Sequence, residues 1–386
     1  MEEKTIAIIP ARGGSKRIKN KNIKSFNGVP LILWTLAEIY KVREIDKVIV
    51  STESNRIIEI LEFFDFEYLI RSNELSQDET SSEEVLLDVI SKLDSNYEIT
   101  AFIQCTNPFE SSNTYSNVIR SLVENKHASN SFSASKFKGW LWENQKSFAV
   151  GTNHDKHLRL RSQDIIWDNY IERGSIVAMR TEHFTKSKIR FSGKTLLVES
   201  ESKYNADIDN PEDFEIAEVI HKIQRSKKKF ENIKLLVIDF DGVFSNNKVQ
   251  TSSNGIESVD SNKYDSLIFN HLKKKVQILV LSSETSSTTR ERVEKLKINF
   301  IDSAKDKKLA LKQFLHKENI SFENVAFIGN DLNDLIPMMM CHYSFCPKDS
   351  PKQIKKIANE VIPVKGGKGV LRYVYEKYYS LFENNF

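Results

Sequence analysis

Short runs of apolar residues alternate with helix-like segments over the first hundred residues of the chain. Each strand-like run is β-rich and four to six residues long, and each helical segment places apolar residues on one face. Such alternation indicates a parallel sheet whose two faces are covered by helices. The predicted strands are 5–9, 46–51, 67–70 and 100–104, and the predicted helices are 30–40, 53–64 and 80–93.

Polar clusters follow three of these strands, at residues 12–22, 51–53 and 104–108. In open parallel sheets the ligand lies outside the carboxyl ends of the strands, so these clusters are expected to share one crevice. Between residues 131 and 179 aromatic residues and short β-like runs replace the alternation, which predicts an inserted lobe over that crevice. A helix is then expected over 211–224, starting at a proline.

A second α/β pattern begins after the basic run Lys227–Lys229. Because 386 residues exceed what one core usually serves, we expect two domains, 1–226 and 227–386, joined by a solvated run from Arg225 to Lys229. The predicted fold is a Rossmann-like α/β domain with a mostly parallel sheet and a small inserted lobe, followed by a smaller α/β domain. The predicted strands of the second domain are 233–238, 276–281 and 325–328. Its predicted helices are 266–274, 290–296, 308–317 and a tyrosine-rich carboxyl-terminal helix.

Composition excludes several classes of protein. The formal net charge of +3 is too small, and the basic residues too scattered, to indicate nucleic-acid binding. No apolar run approaches the roughly 20 residues that span a bilayer. The three cysteines form no CxxC pair, and the amino terminus lacks the features of a secretory signal, so we expect a cytoplasmic protein.

The first polar cluster has the composition of a phosphate-binding loop. It contains Gly13 and Gly14, which let the backbone approach a ligand, and Arg12 and Lys16, which neutralise charge on a leaving pyrophosphate. Neither GxGxxG nor GxxxxGK[ST] is present, so neither a dinucleotide site nor a P-loop is indicated. The alternative is a basic loop with no ligand.

Residues 5–224 resemble the acylneuraminate cytidylyltransferases, the enzymes that make CMP-activated nonulosonic acids from CTP. The resemblance begins at the loop and continues in the same order and spacing along the chain. It is carried further by Arg71, Glu74, Leu75, Asp78, Ser82, Gln104-Cys105-Thr106-Asn107-Pro108, Arg161-Ser162-Gln163-Asp164 and Asp207-Ile208-Asp209.

The resemblance implies roles for single residues. Ser82 and Gln104 would lie at the cytidine and the sugar, Arg161 at the acceptor carboxylate, and Asp207 and Asp209 at magnesium. Arg12, Lys16 and Asp209 would act in catalysis. The nucleotide and its triphosphate would be held by Arg12, Gly13, Gly14, Ser15, Lys16, Lys21 and Asn22.

The two aspartates also suggest a metal site on physical grounds. Carboxylates two residues apart in an extended segment project to one side, and Mg²⁺ prefers oxygen ligands from carboxylates, phosphates and water. An ion shared with the triphosphate would polarise the α-phosphorus. The alternative is that Asp209 caps the helix that begins after Asn210, and the two roles are compatible.

The sequence departs from the family on the sugar side. Glu110 stands where relatives often have arginine, which would reverse a charge beside the crevice. Arg173-Gly174-Ser175-Ile176-Val177 stands where many relatives have Asn-Gly-Ala-Ile-Tyr, so an amide and an aromatic residue are replaced. The nucleotide side is intact. We therefore expect CTP to be retained as the nucleotide, and an acceptor other than the commonest sialic acid.

A second carboxylate pair, Asp239 and Asp241, follows the strand predicted over 233–238. At a strand end such a pair can share one magnesium, with one carboxylate attacking phosphorus and the other protonating the leaving group. The stretch resembles the first motif of capless haloacid-dehalogenase phosphatases that act on octulosonate and nonulosonate phosphates. That resemblance implies a phosphate contact at Ser282, a phosphate-binding lysine at Lys307 or, preferably, Lys308, and metal ligands at Asp239, Asp241, Asn330 and Asp331.

The fourth phosphatase motif is imperfect, because Asn330 replaces the usual carboxylate. Two interpretations stay open: a phosphatase for a nonulosonate phosphate, or a silent domain that serves as a platform for oligomerisation. Residues 366–372 resemble the tail that capless relatives send to a neighbouring subunit, where Arg372 would contact phosphate. We therefore expect a homo-oligomer, a dimer or a tetramer.

Other classes of function remain to be separated from this one. A sugar-phosphate nucleotidyltransferase that uses another nucleotide would release pyrophosphate with a triphosphate other than CTP. A nucleotidyltransferase for another sugar acid would differ in its acceptor, and a scaffold with two inactive sites would release no pyrophosphate.

Overall fold

The computed structural model describes residues 3–158, 160–165, 167–202, 204, 207–253, 257–284, 287–302 and 304–379. The chain divides into two compact units, neither of which is one continuous segment. The first unit comprises Met1–Pro10, Glu44–Ser51 and Leu69–Ile208, and the second comprises Ala11–Arg43, Thr52–Tyr68 and Asp209–Phe386. The predicted boundary after residue 226 stays a prediction.

The helices and strands of the first half alternate as far as β6 and then become richer in strands. In chain order they are β1 (Thr5–Pro10), β2 (Ser25–Phe26), β3 (Val29–Pro30), α1 (Leu31–Tyr40), β4 (Lys47–Thr52), α2 (Asn55–Phe63), β5 (Tyr68–Ile70), α3 (Ser82–Ser91), β6 (Ile99–Ile103), α4 (Ser112–Glu124), β7 (Asn130–Phe137), β8 (Trp142–Gln145), β9 (Phe148–Gly151), β10 (Asn169–Arg180), α5 (Thr181–Ser187), β11 (Thr195–Glu199) and α6 (Pro211–Ser226).

The remaining elements form a second α/β series. They are β12 (Leu235–Ile238), β13 (Ser245–Thr251), β14 (Glu257–Ser261), α7 (Lys263–Leu272), β15 (Gln277–Leu281), α8 (Ser287–Leu296), β16 (Asn299–Ile301), α9 (Lys307–Glu318), β17 (Val325–Ile328), α10 (Leu335–Met340), β18 (Tyr343–Pro347), α11 (Lys352–Ile357), β19 (Glu360–Ile362) and α12 (Val370–Tyr378).

The first unit is built on a seven-stranded sheet in the order β11-β7-β10-β6-β1-β4-β5. β1 is parallel to both β4 and β6, while β10 runs antiparallel to β6 and β7. Residues 6–9 of β1 are fully buried, as its unbroken apolar run predicts. Because β1, β4 and β6 are parallel neighbours, the segments that follow them leave the sheet at one edge.

The second unit holds a six-stranded sheet in the order β16-β15-β12-β17-β18-β19, in which every neighbouring pair is parallel. β12 lies at an interior position, so the residues that follow it emerge between the ends of β15 and β17. This arrangement confirms the predicted α/β class with mostly parallel sheets. None of the described helices is both long enough and apolar enough to span a bilayer.

The predicted solvated run between the domains is wrong for Arg225. Its guanidinium donates to the backbone oxygen of Ile357 and lies over the ring of Trp34, 4.9 Å from the ring centre. Arg225 therefore joins α6 to α1 and α11 within the second unit, whereas Lys227–Lys229 are exposed.

Candidate functional site

The loop after β1 is closed by two hydrogen bonds within the second unit. The Asn22 side-chain amide donates to the backbone oxygen of Arg12 at 3.0 Å, and the Gly13 amide donates to the Glu53 carboxylate at 2.7 Å. A Cβ on Gly13 would lie 2.8 Å from the Cβ of Ser54, so this position requires glycine. Gly14 faces open space, where a ligand has room to reach the backbone.

Cationic side chains of this loop converge on Asp209. Its carboxylate lies 2.8 Å from Arg17 and 3.5 Å from Lys21, and the Arg17 and Asp209 side chains are 69% and 51% exposed. Lys16 is exposed and Arg12 and Ser15 are half-buried on the same loop. Arg17 had no predicted role, and the density of cations in residues 12–21 was the only signal for it.

Asp209 does not cap the helix that follows it. The N-cap of α6 is Asn210, whose side chain accepts from the Asp213 amide at 2.8 Å, while the Asp213 carboxylate accepts from the amides of Asp209 and Asn210. With Pro211 in the first turn, this is a complete capping box. The Asp209 carboxylate is therefore engaged with the loop cations, and the predicted capping role is wrong.

Gln104 and Asp207 meet at Gly174 in the first unit. Gly174 has a φ of +63°, and a Cβ there would lie 3.1 Å from Gln104 Oε1 and 4.0 Å from Asp207 Oδ2. The Ile208 amide donates to the backbone oxygen of Thr106 at 3.1 Å, which ties the aspartate segment to the residues after β6. Gly174 thus leaves space between two side chains that the resemblance assigns to the site.

The other two predicted residues of the first unit lie at helix starts. Ser82 is the first residue of α3, and the preceding Ser81 forms the cap with Glu84. Arg161 is 75% exposed and donates from Nε to Asp164 at 2.7 Å. Arg161 is therefore open to solvent, and it pairs with a neighbour three residues away.

The departures at Glu110, Arg173 and Ser175 form one buried network. Arg173 Nε lies 2.9 Å from Glu110 Oε2, both side chains are fully buried, and Ser175 and Ser200 each donate to the same carboxylate at 2.7 Å. Arg173 also donates to the backbone oxygen of Tyr204 at 2.6 Å. The charge reversal at Glu110 is balanced inside the protein, so the expectation that it changes the charge of the crevice is wrong.

Asp239 lies directly after β12 and precedes a tight turn at Phe240–Phe244, and Asp241 lies within that turn. Gly242 has a φ of +80°, and a Cβ there would lie 1.8 Å from the side-chain nitrogen of Asn330, so only glycine allows this approach. The Asp239 amide donates to the Ile328 oxygen at 3.0 Å, and Ser245 donates to Asp241 at 2.9 Å. The strand end and the turn thereby hold both carboxylates.

Lys307, rather than Lys308, reaches this carboxylate pair. Lys307 Nζ lies 2.8 Å from Asp239 Oδ1 and 2.7 Å from Asp334 Oδ1, and all three side chains are buried. Burial alone would lower the pKa of Lys307, but the carboxylates of Asp334 and Asp239 raise it above its ordinary value. The preference for Lys308 is corrected, because adjacent helical residues point in different directions and Lys308 donates to backbone oxygens of Phe64 and Asp65.

Asp239 and Asp241 line a cavity of about 360 Å³. Ser282 and Asn330 are nearly buried in its wall, and Asn330 Oδ1 has no hydrogen-bond partner among the described residues. Asp331 also lines the cavity, and its carboxylate accepts from the Leu332 amide at 2.7 Å. The full lining is Phe63, Asp239, Asp241, Asn247, Ser282, Ser283, Glu284, Asn330, Asp331, Leu332 and Asn333.

The donor chemistry of the second site fits magnesium. Two carboxylates and a buried amide oxygen without a partner among the described residues are the hard oxygen ligands that Mg²⁺ takes together with phosphate oxygens and water. Asp207 in the first unit and Asp209 in the second unit each offer one carboxylate of the same kind. Within the described ranges, no group of three or more His, Cys, Asp or Glu side chains is arranged to hold a metal. Phosphate oxygens or water would therefore have to complete either set.

The glycine-rich tail packs on its own chain. The Gly367 amide donates to the Val243 oxygen at 2.9 Å, and a Cβ on Gly366 would lie 2.1 Å from the Gly242 oxygen. Arg372 lies on α12, where its side chain pairs with Glu376 at 3.4 Å and its amide donates to Asp265. Within this chain the tail supports the turn that carries Asp241, and its expected contact with a neighbouring subunit through Arg372 stays a prediction.

Comparison with known proteins agrees with both halves of this description. Residues 6–248 match the cytidylyltransferase family. N-acylneuraminate cytidylyltransferase A of Danio rerio is 27% identical over 355 residues, which cover 89% of this chain and 81% of that protein. A pseudaminic acid cytidylyltransferase of Campylobacter jejuni is 28% identical, covering 57% of this chain and 97% of that protein.

The phosphatase resemblance has a counterpart as well. The 3-deoxy-D-manno-octulosonate 8-phosphate phosphatase KdsC of Haemophilus influenzae is 30% identical over 148 residues, which cover 38% of this chain and 82% of that protein. The chain therefore belongs to the cytidylyltransferase family, and it also contains a region that belongs to this phosphatase family. It is a nucleotidyltransferase with a second, phosphatase-like site.

Proposed function

We propose that the chain transfers CMP from CTP to the anomeric hydroxyl of a nonulosonic acid. The observation that carries the proposal is the exposed cationic loop after β1, whose Arg17 and Lys21 are held by Asp209. The pair with Arg17 is exposed and therefore weak, so the oxyanions of a triphosphate compete for this cation at little cost. The Lys21 side chain is only 15% exposed and lies 3.5 Å from the same carboxylate. Names of the relatives support a sialic or pseudaminic type of acceptor.

In the proposed reaction the anomeric hydroxyl gives its proton to water as its oxygen attacks the α-phosphorus, the bond to the β-phosphate oxygen breaks, and pyrophosphate leaves. Arg12, Lys16 and Lys21 stabilise the charge that develops on the leaving group. Arg161 is exposed and carries a charge suited to the acceptor carboxylate. Magnesium held by Asp207 and Asp209 would supply Lewis-acid polarisation of the α-phosphate.

Pyrophosphate release tests the proposal. Purified protein with magnesium and a panel of nonulosonic acids is expected to release pyrophosphate with CTP and not with ATP, GTP or UTP. Lys16→Ala is expected to lower kcat/KM for CTP at least tenfold. Lys19→Ala removes an equally exposed cation from the same loop and serves as the matched control. Equal release with all four nucleotides, or equal loss in both variants, contradicts the proposal.

A second activity is favoured by the geometry around Lys307. We propose that the second site removes phosphate from a nonulosonate phosphate. Asp239 attacks phosphorus and forms an aspartyl phosphate, the bond to the sugar oxygen breaks, and Asp241 gives that oxygen its proton before water hydrolyses the intermediate. Lys307 lies 2.8 Å from Asp239 and neutralises the carboxylates and the phosphate, and magnesium held by Asp239, Asn330 and Asp331 would stabilise phosphoryl charge.

Orthophosphate release from a 9-phosphorylated nonulosonate, abolished by Asp239→Asn, is the expected result. Pyrophosphate release by the same variant is expected to be unchanged, because Asp239 lies at the second site. Absence of orthophosphate together with an intact homo-oligomer would favour the alternative of a silent domain that serves assembly.

A further inference from the structure

The cavity of the second site contains one large exposed apolar side chain, and it comes from a distant part of the sequence. Phe63 is the last residue of α2, is 60% exposed, and lines the cavity with Asp239 and Asp241. Apart from Phe63 and Leu332, every lining residue is polar or charged. One edge of the Phe63 ring packs against Phe64, with 4.8 Å between the ring centres. An aromatic ring that stays this exposed in the wall of a polar cavity is typical of a ligand-binding surface rather than of a core.

The backbone next to Phe63 is held in place by a buried lysine. Lys308 Nζ donates to the backbone oxygens of Phe64 at 2.9 Å and Asp65 at 2.8 Å, and it pairs with Asp306 at 2.7 Å. Its ammonium also lies 4.7 Å from the centre of the Phe66 ring. The end of α2 is therefore positioned before any ligand binds, which lowers the entropy lost on binding.

The first turn of α9 connects this support to the reactive carboxylates. Lys307 contacts Asp239 and Asp334, and the adjacent Lys308 contacts the backbone that follows Phe63. Two neighbouring residues of one helix thus contact the reactive carboxylate and the backbone that follows Phe63. A cavity of about 360 Å³ holds more than a phosphate group, since small-molecule sites span roughly 300–1,000 Å³.

We propose that Phe63 is a specificity-determining residue of the second site and that its ring packs against the carbon skeleton of a phosphorylated sugar acid whose phosphate lies at Asp239. Lys308 is the positioning residue for that ring. The inference rests on the proposed phosphatase activity and adds to it the element that distinguishes a sugar phosphate from a smaller phosphate ester.

The test compares two substrates in Phe63→Ala, Phe63→Tyr and the parent protein. The substrates are a 9-phosphorylated nonulosonate and acetyl phosphate, which has no carbon skeleton long enough to reach the ring. Phe63→Ala is expected to raise KM for the sugar phosphate about tenfold, with kcat changed less than about twofold, because the ring contacts a part of the substrate that does not react. Hydrolysis of acetyl phosphate by Phe63→Ala is expected to be unchanged. Phe63→Tyr keeps an aromatic ring, so its KM for the sugar phosphate is expected to stay close to that of the parent protein.

Phe148→Ala is the matched control, since Phe148 is 63% exposed and lies on β9 of the first unit. An equal loss with both substrates, or an unchanged KM for the sugar phosphate in Phe63→Ala, overturns the inference alone. No orthophosphate from either substrate in the parent protein overturns the phosphatase proposal and the inference with it.

Lys308 provides a second readout. Lys308→Met is expected to raise the KM for the sugar phosphate. Combining it with Phe63→Ala is expected to raise this KM little further, because both changes remove the same contact between the ring and the substrate. Lys308→Arg is expected to recover part of the loss. If Lys308→Met does not fold, the Phe63 variants alone decide the inference.

Discussion

The two carboxylate sites of this chain treat their cations in opposite ways. Asp209 is half-exposed and pairs with the exposed Arg17 and the less exposed Lys21, whereas Asp239 and Asp334 enclose Lys307 with almost no exposure. Exposed ion pairs contribute roughly 0–1 kcal/mol to the free energy of unfolding, and a ligand can easily replace one partner. Removing a buried cation leaves its partner carboxylates buried without a compensating charge. The first site is thus arranged to exchange partners with a polyanion, and the second to keep a fixed charge arrangement.

The largest expected effect comes from removing the buried cation. Lys307→Met leaves Asp239 and Asp334 together without their shared partner, so we expect a loss of about 5 kcal/mol, the upper end of the range for broken buried pairs. Urea denaturation measures this loss. Lys317→Met, an exposed position on the same helix, is the control and should change stability by less than about 0.5 kcal/mol. Equal losses in the two variants would contradict the account.

A buried pair in the first unit tests whether the contrast depends on burial or on function. Glu110→Ala strands the Arg173 guanidinium, and we expect a loss of about 3–5 kcal/mol in urea denaturation. Glu182→Ala breaks the exposed pair with Lys186 in the same unit and should cost at most about 0.5 kcal/mol. A small effect of Glu110→Ala would show that the buried network contributes little.

The sequence predicted the strands well because their unbroken apolar runs reflect burial on both faces, and β17 matches its predicted range of 325–328. It also placed Asp239 and Asp241 correctly at a strand end. It missed α4, whose many serine and asparagine residues weaken the helical pattern. Pattern alone is least informative where helices and strands are short, as at β16 and α11.

Side-chain partners were the part that sequence did not reveal. Glu110 and Arg173 were noted as two separate departures, but their pairing depends on β10 lying beside β6 in the folded sheet. The choice between Lys307 and Lys308 depends on the direction of each residue at the start of α9, where both lysines are buried. Phe63 carried no motif, and only the folded chain brings it to the second cavity.

A buried histidine, His221, is expected to make the stability of the protein depend on pH, with an effect of intermediate size. Burial, together with the nearby charge of Arg225, lowers the pKa of His221 from its ordinary value of 6.5 to about 3. Between these values the unfolded state binds a proton that the folded state does not, so stability falls as pH falls. Urea denaturation at pH 7 and pH 5 should show about 2 kcal/mol from this residue, at roughly 1.36 kcal/mol per pH unit below 6.5.

The comparison protein for that measurement is His221→Gln. Subtracting its pH dependence from that of the parent removes the contribution of other titrating groups. Identical pH dependences in the two proteins would show that His221 is not held neutral in the folded state.

The smallest expected effect on stability is at the exposed pair. Arg17→Ala should change the free energy of unfolding by less than about 1 kcal/mol, because the pair with Asp209 is solvated. The same variant should raise KM for CTP several-fold, and the rise should shrink at high salt because exposed charges are screened. A loss of stability comparable to that of Lys307→Met would remove the contrast between the two sites.

The most direct test of two separate sites is one assay that reads pyrophosphate and orthophosphate independently in the parent, Lys16→Ala and Asp239→Asn proteins. With CTP, magnesium, a nonulosonic acid and its 9-phosphate, the account predicts that Lys16→Ala loses pyrophosphate release and keeps orthophosphate release. Asp239→Asn should show the reverse. Loss of both products in either variant, or release of neither by the parent protein, would contradict the account.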